Sequence, residues 1–410
     1  MVAKPYPQGH TPSVVFTQPA VERVLREHVA AMPGVTLALG MTMTGFVQDD
    51  DGVTLAYDDG SRVRARYAVG CDGGASGVRT GLGIALDDLD FDEPWLVVDV
   101  RVGARGLARL PSTSVQYCEP ARPCSFIIGP GNHRRWEISL NPGEDAVEAA
   151  TPERTWQLLA RWLAPDEGTL WRQSSYRFHA LVAQRWRAGR VFIAGDAAHM
   201  QPPFLGQGMC QGIRDAANLA WKLGAVLNGE VSGAAGERLL DSYGSERGAH
   251  VRELTSRIQG VGAVICERDP VRARERDARL LAECGGIVKD TPRQDILPAL
   301  GTGLLYASAG AGTLFPQPLL AGFVPMDDRC GHGWRLVLDG TLDASALARD
   351  VAPVDLAAAL TAECEGVAAA WLRRHECRAA LLRPDHYVFG TTADAEGLRD
   401  LLEARRAALS

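Results

Sequence analysis

Past Pro19 the apolar residues fall every three or four positions: Val21, Val24, Leu25 and Val29 share one helical face, and Pro33-Gly34 stops the run. This spacing predicts a surface helix. Short apolar runs follow at 35–39 and 53–57, both read as strands, with Asp59-Gly60 a tight-turn pair after the second. From 62 to 70 strict alternation sets in, Val63, Ala65, Tyr67 and Val69 against Arg62, Arg64 and Arg66, which predicts one strand with a face in water. Strands dominate from about 95 to 180, at 95–102, 114–118, 124–129 and 134–140, and a helix over 151–163 starts where Thr151 caps and Pro152 opens it. A short apolar strand at 190–194 then precedes a long helix from Met209 to Asn228. Ile213, Ala216, Ala217, Ala220 and Leu223 form its expected inward face, and Gly229 lies just past its end. Helical pattern continues with interruptions to about Glu283. The closing stretch alternates again, with a strand in 334–340, an Ala-rich helix at 345–350, strand residues in 380–390 and a final helix at 394–408.

Composition narrows the class. At 410 residues the chain is long enough for two or three domains of roughly 150 residues each. Apolar residues make up 46% and charged residues 23%, the balance of a folded protein. The net charge of -7, with acidic and basic residues interleaved, leaves no footprint for gripping phosphate backbones, so nucleic acid is excluded as a partner. Nine cysteines, scattered and never spaced C-x-x-C, argue against a disulfide framework, a zinc site or a redox pair, and for a reducing, cytoplasmic setting. The opening residues carry no signal-peptide pattern. Ile296 to Met326 contains no charged residue, but its four prolines and five glycines break any membrane helix and mark a buried interdomain connection.

Chemistry concentrates in Arg190 to Asn218, RVFIAGDAAHMQPPFLGQGMCQGIRDAAN. A strand ends at Ala194, Gly195 lets the backbone turn closely, and Asp196 projects a carboxylate at the strand's carboxyl end, where open α/β sheets bind ligands. Such a carboxylate suits sugar or sugar-alcohol hydroxyls. Gly206 and Gly208 permit close backbone approach, and the amides around Gly208 and Met209 open the long helix unsatisfied, at the positive end of its dipole. A second run, AVGCDGGASGVR at 68–79, bends sharply at Gly73-Gly74, and Ser76 is placed to cap the helix that Val78 starts.

The first run resembles the second FAD signature of the flavin-dependent aromatic hydroxylases, the family of para-hydroxybenzoate hydroxylase. The resemblance implies that Asp196 holds the ribityl chain of FAD and that Gly206, Gln207, Gly208 and Met209 face the N1 and C2 carbonyl edge of the flavin. Gly195, Ala197, His199 and Pro203 are implied beside the cofactor, and Pro202 and Pro203 along the wall between flavin and phenol. The second run resembles the family's Cys-Asp-Gly signature, which implies a place for Asp72 near the cofactor. The run at 16–29 resembles a family helix in which Gln18 faces the cofactor. Stretches at 91–100, 116–123, 131–145, 214–223 and 239–247 extend the likeness to the 3-(3-hydroxyphenyl)propionate/3-hydroxycinnamate hydroxylases. The closing LLRPDHYVFG resembles the thioredoxin-like C-terminal domain of the larger members.

One departure stands out. The family opens with a βαβ unit carrying G-x-G-x-x-G for the FAD pyrophosphate, and the 410-residue sequence holds no such motif. The chain is therefore read as missing that portion, through a misplaced start, a fragment or genuine loss. No catalytic residue is named. His133 and Arg135 are the candidate substrate contacts, since a guanidinium grips carboxylate in a two-point fork.

The expected fold is mixed α/β. An incomplete Rossmann-like FAD domain covers 1–90 and 181–285, an inserted β-sheet substrate domain 91–180, and a linker with a thioredoxin-like domain 286–410. The resemblance implies hydroxylation of a phenolic aromatic acid with FAD, NADH or NADPH and O2, without metal or membrane, in a protein for which a homodimer is the assembly considered. Two other readings stay open: a non-catalytic remnant binding an aromatic ligand, and a halogenase or dehydrogenase on the same scaffold.

Overall fold

The computed structural model describes residues 4–287, 296–342 and 351–410. Helix α1 (Gln18–Ala30) is followed by a three-stranded antiparallel sheet of β1 (Met43–Gln48), β2 (Val53–Tyr57) and β3 (Arg62–Ala65). The apolar run at 35–39 forms no strand. Leu37 and Leu39 stay exposed, and no neighbouring strand pairs with the run. The expected strand at 62–70 is two strands, because the chain leaves β3 at Arg66 and enters β4 (Ala68–Gly70) in a different sheet.

After the short α2 (Gly77–Gly81) comes a long strand, β5 (Leu86–Val102), then α3 (Ala104–Leu107), β6 (Val115–Tyr117), β7 (Cys124–Ile128), β8 (His133–Ser139), α4 (Ala146–Ala149) and α5 (Pro152–Leu159). Thr151 Oγ1 accepts from Arg154 N, the expected cap. Next is β9 (Gly168–Ala183), which the alternation argument did not mark. With β12 (His199–Met200) these strands form a six-stranded antiparallel sheet ordered β12-β9-β5-β8-β7-β6. One face buries Leu96, Val98, Val100, Phe126, Trp136 and Ile138 against Leu159 and Leu163. The opposite face carries Trp95, Val97, Asp99, Arg135, Glu137 and Ser139.

Strands β10 (Arg187–Ala188) and β11 (Val191–Ile193) join β4 in the order β10-β11-β4, with β11 parallel to β4. A parallel pair needs a crossover, and here five strands of the six-stranded sheet, β5 to β9, are inserted into it. Both signature turns therefore leave neighbouring strand ends. The core beneath packs Val191, Phe192 and Ile193 on Val78, Trp186, Leu219, Leu240 and Tyr243.

Three helices follow, α6 (Gly208–Leu227), α7 (Gly233–Ile265) and α8 (Pro270–Cys284). Most of the expected inward face of α6 lies outside. Ile213, Ala216, Ala217 and Ala220 are exposed and Leu223 of that face is half-buried against the core, whereas Gln211, Asp215, Asn218, Leu219, Lys222 and Ala225 are buried. Polar residues are inside because they find charged partners on α7 and on the closing unit: Glu246 Oε2 accepts from Lys222 Nζ at 2.7 Å and Asn218 Nδ2 at 2.8 Å.

The uncharged stretch from Ile296 buries Leu300 and Phe315 and runs through short strands β13 (Leu319–Leu320) and β14 (Val324–Pro325) into α9 (Met326–Cys330). It is held by backbone bonds such as Tyr306 N to Phe389 O (2.7 Å) and Gly312 N to Val388 O (2.8 Å). The closing unit has β15 (Arg335–Leu338), β16 (Ala352–Asp355), α10 (Val367–Arg374), β17 (Ala379–Leu382), β18 (Val388–Thr392) and α11 (Ala395–Ala408). Its sheet order is β16-β15-β17-β18, with only the β15–β16 pair parallel. The helix expected at 345–350 lies outside the described residues.

Candidate functional site

The site is built where β4 and β11 end side by side. Gly195 takes φ of +60°, a left-handed conformation that favours glycine, and its N–H donates to Asp215 Oδ2 at 3.0 Å. Asp196 follows, exposed, its carboxylate without a side-chain partner among the described residues. The buried Arg79 ties the two turns together. Its Nη1 donates to Ala197 O and its Nη2 to Gly74 O, both at 2.9 Å.

Asp72 is occupied. Its carboxylate accepts from Ser76 Oγ at 2.5 Å and from Val78 N at 3.0 Å, anchoring the start of α2. Burial works against its ionisation, but those bonds outweigh it and hold the carboxyl below its usual range. His199 is also committed inward. Its Nε2 lies 2.8 Å from Asp215 Oδ2, and its ring stacks on Trp186 with centroids 5.5 Å apart.

Pro202 and Phe204 of the following loop are buried and Pro203 is half-buried. Gly206 has φ of +60° and its N–H donates to Pro203 O at 2.7 Å. Gln207 precedes the first turn of α6 without capping it; its side chain instead accepts from Arg214 Nη1 at 3.1 Å. The first amides of α6 therefore keep their donors free, and a Cβ on Gly208 would meet nothing within 4 Å. Met209 is 52% exposed beside them. Phe204 meets Trp95 of the six-stranded sheet edge to face at 5.7 Å and Phe91 at 5.8 Å, which puts an aromatic wall between loop and sheet.

Three candidates lie apart from this constellation. Gln18 sits exposed on α1 and donates to Glu22 Oε1 at 2.7 Å. His133 and Arg135 stand two register rows and more from Trp95, and both bind Asp99. Arg135 forks onto it at 2.8 and 3.1 Å, and His133 Nε2 lies 2.7 Å away. Burial raises the Asp99 pKa, yet the Arg135 and His133 bonds bring it below the ordinary value.

Residue-type reasoning missed the support beneath the turn. Asp215 receives Gly195 N, His199 and, at 2.8 Å, Arg247 Nε; Arg247 reaches Gln211 Oε1 at 2.8 Å and His250 Nδ1 at 2.9 Å. All five side chains are buried. The available signal was the spacing of Gln211, Asp215, Asn218 and Lys222, steps of four, three and four that draw a polar stripe along one helix face.

The residues fit FAD on the flavin side. An unpartnered carboxylate would suit ribityl hydroxyls, and an uncapped helix start with open space at Gly208 would suit an electron-rich ring edge. No described group of three or more His, Cys, Asp or Glu is placed to hold a metal ion. No helix among the described residues is long and apolar enough to cross a membrane. Fold and site together define a flavin-dependent oxidoreductase. A family model described as an FAD binding domain matches residues 3–258, and the chain belongs to this family, that of the FAD-dependent aromatic hydroxylases. It is 38% identical over 426 residues to a probable NADH-specific resorcinol 4-hydroxylase of Rhodococcus jostii (strain RHA1), covering 98% of this chain and 78% of that protein. A 3-(3-hydroxy-phenyl)propionate/3-hydroxycinnamic acid hydroxylase of Burkholderia cenocepacia (strain HI2424) is 34% identical over 436 residues, covering 96% and 78%. Among solved structures, a ternary complex of aklavinone-11 hydroxylase with FAD and aklavinone superposes with a TM-score of 0.72 at 25% identity, over 96% of this chain and 78% of that one.

Proposed function

We propose that this chain is an FAD-dependent monooxygenase that uses NADH and O2 to add one hydroxyl to a phenol, the second oxygen leaving as water. The observation that carries the reading is the free Asp196 carboxylate beside the uncapped start of α6, with Phe204, ring-paired to Trp95, in the loop that leads into that helix. Bound FAD supplies the redox chemistry that passes electrons from NADH to O2. The chain's residues bind and shield it. Asp196 holds ribityl hydroxyls, Gly195 and Ala197 shape the turn, and Gly206, Gln207, Gly208 and Met209 present backbone donors to the ring edge. Arg79 and Asp72 act as braces for the two turns, Pro202, Pro203 and Phe204 exclude water, and His199 keeps Asp215 in place. The relative's NADH specificity supports NADH as donor. The nine free cysteines support a reducing, cytoplasmic setting.

The test combines flavin retention with turnover. With FAD, NADH and a phenol, oxygen uptake should match formation of a product one oxygen atom heavier. Asp196→Ala should weaken FAD retention at least tenfold while the unfolding midpoint stays put, since the residue is exposed. Oxygen uptake without hydroxylated product, or an Asp196→Ala chain that keeps FAD as the parent does, would sink the reading.

A further inference from the structure

Helix α6 holds its enclosed charges in cancelling sets, with one exception. Asp215 is matched by Arg247, whose Nε lies 2.8 Å from its Oδ1. Lys222 shares Glu246 with Arg383, and Arg383 also binds Asp385, so two cations meet two acids. His250, set between Arg247 Nη1 and Pro298 O, is kept uncharged: burial, with Arg247 and Arg214 adding to it, brings its pKa down to about 3. The exception is Arg214. It is half-buried, has no carboxylate partner among the described residues, and donates a single hydrogen bond, from Nη1 to Gln207 Oε1 at 3.1 Å. Burial works against its charge, with Tyr387 opposing that shift and Arg247 reinforcing it. A guanidinium stays charged at neutral pH all the same, so one positive charge on α6 is left over.

That charge leans toward the start of the helix. Side chains on a helix point back toward its N-terminus, and the bond from Arg214 to Gln207 spans seven residues in that direction. Gln207 is buried directly before the uncapped first turn, where the amides of Gly208 and Met209 stay free. The acids of the site, Asp72 and Asp196, stand on the two strand-end turns. Hydride transfer from NADH, which leaves as NAD+, adds two electrons and one proton to a flavin ring and so one negative charge, and the placement proposed above sets that ring edge against the α6 start. Even at roughly 10 Å, the rise of those seven residues, a unit charge in surroundings of effective dielectric about 20 changes the preference for the charged form more than about tenfold.

We infer that Arg214 is a positioning residue whose charge, held behind Gln207, favours the reduced, anionic form of bound FAD over the oxidised form; this rests on the flavin placement of the reading above. The test is the midpoint potential of FAD on the purified chain, measured by reductive titration against a reference dye, beside the dissociation constant of oxidised FAD. Arg214→Gln, which keeps an N–H donor and removes the charge, should lower the preference for reduced over oxidised FAD at least about tenfold, a drop of about 30 mV for a two-electron couple. Arg214→Lys keeps the charge and should hold that preference within about threefold of the parent. Arg214→Met is the second uncharged variant, should Arg214→Gln not fold. An unchanged potential in the uncharged variants, or an equal drop in Arg214→Lys, would overturn the inference, as would uncharged variants that lose oxidised FAD while Arg214→Lys keeps it. Failure of the parent chain to hold FAD sinks the flavin placement and this inference with it. A charge-dependent potential without hydroxylated product sinks the hydroxylase reading alone.

Discussion

Helices α1 and α11 carry the same kind of apolar stripe, yet α1 buries none of its residues while α11 buries Leu398, Leu401 and Leu402. On α11 the stripe lies over β18, where Gly390 admits it; a Cβ at 390 would stand 2.7 Å from Leu401 Cδ1. On α1, Val24 and Leu25 each remain 59% exposed, and the helix is laced by exposed Arg23–Glu27 and Arg26–Glu22 pairs worth a few tenths of a kcal/mol each, on the order of 0.3. An apolar stripe states that a helix has a face to bury; a packed partner is what stabilises it. Helix α6 shows both outcomes on one element. Ile213 lies 59% exposed on its apolar face, while the polar stripe opposite is fully enclosed.

Breaking the enclosed side should cost most. Glu246 holds Lys222, Asn218 and Arg383, all buried, so Glu246→Gln should destabilise the chain by about 3–5 kcal/mol in denaturant unfolding, because Lys222 loses its counter-charge and Arg383 is left with Asp385 alone. Burial opposes ionisation of Glu246, but Arg383 and Lys222 bring its carboxyl down to about 2, from an ordinary 4.5. A depressed acid contributes stability above pH 4.5 and loses it as pH falls toward 2, so the loss of stability on acidification should be smaller in Glu246→Gln than in the parent, the share of Asp72 and Asp99 remaining in both. An unchanged acid limb in the variant would show that the network is not what binds the closing unit to α6 and α7.

Next comes the contrast between the two helices. Leu398→Ala should cost about 2–5 kcal/mol, and Leu25→Ala less than about 0.5. Equal costs would remove the distinction. Limited proteolysis should cut within α1 before α11, since local opening there gives up little buried surface; hydrogen exchange on the same sample should show α1 amides the less protected. Smallest of all, Ile213→Ser should shift stability by no more than about 0.5 kcal/mol, and a larger loss would mean that the apolar face of α6 is covered in solution.

Much of this site was legible along the chain. Strand, glycine turn, carboxylate and helix start are consecutive from Val191 to Met209, so local chemistry carries them, and the β-rich inserted region and the Thr151 cap were readable for the same reason. Where the reading failed, the determining partner was distant. The run at 35–39 has strand-forming residues and no strand beside it; Arg66 breaks the alternation at 62–70 by passing the chain between sheets. The inward face of α6 was assigned by hydropathy and belongs instead to Asp215 and Lys222, whose partners lie 32 and 24 residues away, at Arg247 and Glu246.

The sequence by itself determined the chemistry of the two signature turns, the positions of most long helices and the alternation of strand-rich and helical regions, because each depends on neighbours a few residues apart. Only the tertiary structure decided that Asp72 braces a helix while Asp196 stays free, that Arg135 is spent on Asp99 while Arg214 is left without a carboxylate partner, and which face of α6 is inside. Those outcomes turn on whether a buried charge finds its counter-charge, and that depends on strands and helices brought together from far apart in the chain.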